Sequence, residues 1–160
     1  MMISSLSLAQ TPCYLAVVTY MPVATDEHSA ALIASLNGLL ARLTQQNAGG
    51  QNLVVVDNGS APLVQQALQQ WAADSMAMVI ANAHNQGIAT AHNQAVAYAA
   101  SQGAVWALLL DHDSTLLPEA LPVLQRGLAA LPNREKTGVL ALNYTLAGGR
   151  LGYRLYHHNQ

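Results

Sequence analysis

Four times this chain alternates a short apolar run with a stretch of helical period, and each run closes on polar side chains. The runs are residues 14–20, 52–56, 76–81 and 105–110. Between them lie Leu32, Ile33, Leu36, Leu39, Leu40 and Leu43, then Leu63, Val64, Ala67, Leu68 and Trp71, then Ile88, Ala91, Ala95 and Ala99. Apolar positions three and four apart form one face of a helix. Strand–helix alternation of this kind predicts parallel βαβ units with right-handed crossovers. The fold class is therefore α/β, a three-layer α/β/α domain with a mostly parallel, doubly wound sheet. In such sheets ligands bind outside the carboxyl ends of the strands. Here those ends carry Thr19 and Tyr20, Asp57 and Asn58, residues 82–85, and Asp111, His112 and Asp113.

Local signals place the boundaries. Thr25 predicts a helix N-cap, with Asp26 and Glu27 supplying negative charge to the first turn. Pro22 ends the first strand, and Pro62 suits the first turn of the second helix. The third helix is predicted over about 88–101. The fourth carries Leu117, Leu121, Leu124, Leu128 and Leu131, with Pro122 removing one hydrogen bond near its start. Residues 139–142 read as a fifth strand, and Gly148 and Gly149 as a turn.

The run 105–110 is apolar on both faces, the pattern of a fully buried parallel strand, and it stops at Asp111-His112-Asp113-Ser114. Were the backbone extended there, Asp111 and Asp113 would share a side. Two close carboxylates invite a cation, and Mg²⁺ is usually held by one or two carboxylates plus substrate phosphates. The same residues are also ordinary turn formers. Taken by itself, the stretch fits a metal–diphosphate site or a solvated turn.

Composition narrows the class. At 160 residues, with 52% hydrophobic and 9% charged side chains, the chain has enough for one packed domain and too little charge for disorder. A net charge of −2 without a basic block argues against nucleic acid as a partner. The single cysteine, Cys13, precludes an internal disulfide, suits a reducing compartment, and reads as a small buried hydrophobe. The first twelve residues lack the charged and apolar regions of a secretory signal, and no run reaches membrane-spanning length. His84, His92 and His112 do not make a zinc motif, since no pair has helical spacing with an adjacent Glu.

Four motifs stand in order over roughly residues 14–143: Val17-Val18-Thr19-Tyr20, residues 55–60 (VVDNGS), Asn85-Gln86-Gly87-Ile88-Ala89 through Asn93, and Leu110-Asp111-His112-Asp113-Ser114. Together they resemble family 2 glycosyltransferases of the GT-A fold, in particular a rhamnosyltransferase-like branch. The resemblance implies that Thr19 and Tyr20 line a base pocket, that Asp57 accepts a hydrogen bond from the base, and that Asn58 lies beside it. A turn cap is the competing role for Asp57. Asn85 and Gly87 would lie under the nucleotide and sugar, and Asn93 would face the cleft or solvent. Asp111 would contact the ribose or metal-bound water, and Asp113 would ligate Mg²⁺ or Mn²⁺ at the diphosphate. His112 stands where the family pattern has Gln or Ala, and would face solvent or the acceptor.

The implied activity is metal-dependent transfer of a sugar, such as rhamnose, from a dTDP- or UDP-linked donor to a saccharide or lipid-linked acceptor, with inversion. This would be a step in cell-surface polysaccharide synthesis. The family's carboxylate base follows the metal motif, but the last acidic residue here is Glu135, and no residue of this chain is assigned that role. Residues 1–160 are accordingly expected to be one donor-binding domain without its acceptor-binding part, active weakly or not at all alone. Its expected location is cytoplasmic, at the membrane's inner face if a longer form associates peripherally. Residues 108–115 also match the first motif of haloacid dehalogenase-like phosphatases, with Asp111 as nucleophile. That motif normally lies on a first strand, and Lys136 is the only lysine available downstream. A non-catalytic nucleotide-binding module is the remaining alternative.

Overall fold

The computed structural model describes residues 13–46, 52–132 and 136–137. Its elements are β1 (Cys13–Thr19), α1 (Asp26–Gln45), β2 (Leu53–Asp57), α2 (Pro62–Ser75), β3 (Met78–Ala81), α3 (Ile88–Ser101), β4 (Trp106–Asp111) and α4 (Ala120–Ala130). The four strands form one parallel sheet in the order β3-β2-β1-β4. The predicted fifth strand at 139–142 and the turn at Gly148-Gly149 lie outside the described residues.

Strand alternation divides the core in two. Leu15, Val17, Leu53 and Val55 project to one face, where Leu32, Leu36, Leu39 and Leu43 of α1 and Val64, Leu68 and Trp71 of α2 cover them. Leu116 and Leu121, at the entry to α4, join the same cluster. Ala16, Val18, Val54 and Val56 project to the other face, under Ala91 and Ala95 of α3. Small side chains on α3 let its axis come close to the sheet, which it crosses over β1 and β2. Tyr98 closes that face, meeting Tyr14 edge to face with ring centroids 6.3 Å apart. Cys13 is buried in the larger cluster, and burial pushes its thiol up to about 11, as suits a packing residue.

Capping follows the predicted chemistry with one twist. The Thr25 hydroxyl accepts from the His28 amide and the His28 Nδ1 accepts from the Thr25 amide, both at 3.3 Å. An imidazole thus occupies the place usually held by Glu or Gln in a capping box. At the end of α2, Met76 takes a left-handed conformation (φ 59°). That turn delays β3 to Met78, two residues later than the apolar run alone predicts.

One expectation is corrected. The run ending at Asp111 reads as a fully buried, central strand, yet among the described residues β4 is an edge of the sheet and only partly buried, with Leu109 45% exposed. The central strands are β1 and β2, buried along their whole length. Because α3 lies over β1 and β2, it leaves the Ala107–Leu109 side of β4 largely uncovered. Apolar composition reports what a strand tolerates, not how many neighbours it has.

Candidate active site

The sheet order places a topological switch between β1 and β4. From β1 the chain steps outward to β2 and β3, and α3 then carries it back across to the other side of β1. The carboxyl ends flanking that switch form the crevice where α/β folds bind ligands. Register brings the predicted residues together there: Thr19 pairs with Asp57, and Val18 pairs with Asp111.

On the β2 side the rim is built from buried polar groups. Thr19 and Asp57 are fully buried, and Asn58 is 2% exposed. The Asn58 amide donates to the Thr19 carbonyl at 2.8 Å, the Met21 amide to the Ser60 hydroxyl at 2.9 Å, and the Ala61 amide to the Met21 carbonyl at 2.8 Å. These bonds sew the exits of β1 and β2 together. The Asp57 carboxylate accepts the Ser60 amide at 3.2 and 3.4 Å, which is the turn-cap role. The Thr19 hydroxyl is buried without a hydrogen-bond partner. Gly59 is held at φ +86°, and a Cβ there would come within 2.5–2.7 Å of the backbone of His84 and Asn85. Only glycine lets these two turns touch.

The third rim segment is held by carboxamides. Asn58 Oδ1 accepts from the Gln86 amide at 3.0 Å and from Asn82 Nδ2 at 3.1 Å, while Asn58 Nδ2 donates to Asn85 Oδ1 at 3.0 Å. Asn85 Oδ1 also accepts from the Gly87 amide at 2.8 Å. Gly87, at φ +85°, is the N-cap of α3, and the space where a Cβ would stand is open. Its positive φ favours glycine on conformational grounds. Asn93 is exposed on α3, away from the Ala91–Ala95–Ala99 face, and takes no part in this lattice. Its neighbour Gln94 does, exchanging two hydrogen bonds with Asn82 at 2.9 and 3.0 Å. Sequence reasoning singled out neither Asn82 nor Gln94. The density of carboxamides in 82–94 was the available signal.

The β4 side is different. Asp111 ends the strand exposed, and its pairing with Val18 puts it on the α3 face of the sheet. The Ser114 amide donates to the Asp111 carbonyl at 3.0 Å, closing a β-turn with His112 and Asp113 at its corners. The extended geometry that would align Asp111 with Asp113 is thus replaced by a turn, and Asp113 is exposed within it. Backbone carbonyls anchor the segment to α1: His112 accepts from the Ser35 hydroxyl at 3.0 Å, and Leu116 from Arg42 Nε at 3.3 Å. Tyr20, 41% exposed, stands at the exit of the adjoining β1. Two exposed carboxylates fit Mg²⁺ or Mn²⁺ that arrives with a diphosphate completing its shell. Among the described residues no group of three or more His, Cys, Asp or Glu is placed to hold a metal alone.

A parallel sheet flanked by helices, with its polar side chains gathered at one carboxyl rim, defines a GT-A-like α/β domain. Residues 27–139, more than half of the chain, match the model of Glycosyl transferase family 2, and the chain belongs to that family. Among solved structures it is similar to residues 1–349 of TarS from S. aureus, with a TM-score of 0.50 and 21% identity. The likeness covers 73% of this chain and 32% of that one, so this chain spans about a third of the length of its structural relative. No curated protein matches the sequence.

Proposed function

We propose that this domain binds a nucleoside diphosphate-sugar, dTDP- or UDP-linked, as the donor-binding part of an inverting glycosyltransferase. Family membership supports sugar transfer from such a donor. The observation that carries the donor-site reading is the register at the switch point, where Thr19 and Asp57 stand side by side and Val18 leads to Asp111 across β1. Thr19, Tyr20, Asp57 and Asn58 would frame the base, with the buried Thr19 hydroxyl free to accept or donate once a ligand arrives. Asn85 and Gly87 would underlie the diphosphate and sugar, and Asp111 would reach the ribose.

Asp113, with Asp111, would hold Mg²⁺ or Mn²⁺. Such an ion supplies Lewis-acid neutralisation of charge on a departing diphosphate. The chain's own contribution is orientation: a fixed base pocket on one side and exposed carboxylate side chains on the other. Deprotonation of an acceptor hydroxyl needs a base. None is assigned among the described residues, and we place it, with the saccharide or lipid-linked acceptor, in a further part of the enzyme. Rhamnose is the donor sugar we favour. Residues 1–160 are then one domain working in the cytoplasm or at the inner membrane face, in cell-surface polysaccharide assembly.

Calorimetric titration with UDP, dTDP and GDP, each with and without Mn²⁺, tests the proposal. Binding of UDP or dTDP that tightens at least tenfold with Mn²⁺, and loses that gain in Asp113→Asn, is the expected result. Equal affinity in both proteins would favour a metal-independent nucleotide module. A phosphoaspartate trapped at Asp111 would favour the phosphatase, which the family match and the position of the motif on a fourth strand disfavour.

A further inference from the structure

Two backbone amides dictate the orientation of every carboxamide in the rim lattice. An N–H only donates, so the Gln86 amide fixes which end of Asn58 is oxygen, and the Gly87 amide does the same for Asn85. Asn58 Oδ1 can then receive only the nitrogen of Asn82, at 3.1 Å. That leaves Asn82 with one oxygen and one remaining N–H, and Gln94 is matched to both. Flipping any one amide would set oxygen against oxygen or donor against donor at the next. The lattice is therefore directional, running from α3 through Asn82 and Asn58 to the 85–87 turn.

We infer that Asn82 and Gln94 are positioning residues for the donor site. Gripped by Gln94, Asn82 holds Asn58 in the one orientation that fixes the Gln86 amide and the Asn85 side chain beneath the ligand. Neither residue touches the ligand in this scheme. The inference rests on the donor-site reading for its consequence, but not for its mechanics. Asn82 is 6% exposed, so its bonds are shielded from competing water. The carboxamide pair also ties Asn82, on one flank of the turn, to α3 on the other.

Amide hydrogen exchange of the full chain, read by NMR, tests the lock without any ligand. Gln94→Ala is expected to lower protection of the Gln86 and Gly87 amides about tenfold while β1 and β2 amides keep theirs. Gln94→Glu supplies the discriminating measurement. An ionised Glu accepts from Asn82 Nδ2 but opposes Asn82 Oδ1, whereas a protonated Glu donates as Gln does. Protection in Gln94→Glu should therefore be poor at pH 7 and recover towards wild type as the pH falls to about 4.5, with the wild-type profile subtracted to remove the contributions of His84, His92 and Asp57. A role in packing alone would show no such recovery, and unchanged protection in Gln94→Ala would overturn the lock outright. UDP affinity with Mn²⁺ should fall about tenfold in Gln94→Ala and follow the same pH recovery in Gln94→Glu. Lost protection with unchanged UDP affinity would overturn the positioning role. Failure of wild-type protein to bind either UDP or dTDP would instead sink the donor-site reading, and exchange would still decide the lock.

Discussion

The two flanks of the candidate site are built by opposite means. On the β2–β3 flank, Asp57, Asn58, Ser60 and Asn82 are buried and bonded to backbone amides or to one another, so their geometry exists before any ligand. On the β4 flank, Asp111 and Asp113 are exposed in a turn whose backbone is anchored to α1, while their carboxylates remain open to solvent. The difference would suit the function proposed for each side. A base is recognised by fixed donors and acceptors, where preorganisation saves the entropy of ordering. A hydrated cation shared with a diphosphate needs carboxylates free to adjust, and two like charges locked together without it would repel.

Breaking the rigid flank should cost most. Gly59→Ala forces a Cβ into the His84–Asn85 backbone at a positive φ, and should destabilise the protein by about 3 kcal/mol, read from urea unfolding. Asn58→Ala strands the Gln86 amide and the Asn82 and Asn85 carboxamides, so a loss of about 2 kcal/mol is expected in the same assay. The exposed flank should answer differently. Asp113→Asn is expected to shift stability by less than about 0.5 kcal/mol, and its effect should appear only in metal-assisted nucleotide binding. A destabilisation by Asp113→Asn as large as that of Asn58→Ala would erase the contrast.

The sequence announced the architecture because period and polarity are local signals. Helical spacing revealed α1 and α2, with Thr25 and Pro62 marking their starts, and it bounded α3 at about 88–101 as observed. It also named most of the rim, since polar residues ending apolar runs have few other places to go in a parallel sheet. What it missed depends on tertiary neighbours. Among the described residues, the edge position of β4 follows from the path of α3, not from the composition of residues 106–111. Leu117 continues the periodicity of α4 yet lies exposed before the helix, which starts at Ala120. Asp111 and Asp113 look alike in sequence but are separated by a turn that one Ser114 amide closes. Asn82 and Gln94 are unremarkable until the fold sets them face to face.

The pairing of β1 with β4, from Cys13 opposite Trp106 to Val18 opposite Asp111, also has a consequence in time. As the polypeptide leaves the ribosome, the first three strands can join in sequence order, but one side of β1 must wait for the last of the four. An unpaired, largely apolar strand edge is an invitation to the wrong neighbour. Until residue 106 emerges a nascent copy is thus exposed to misassembly, and Asp111 and Asp113 join the rim after its other named residues.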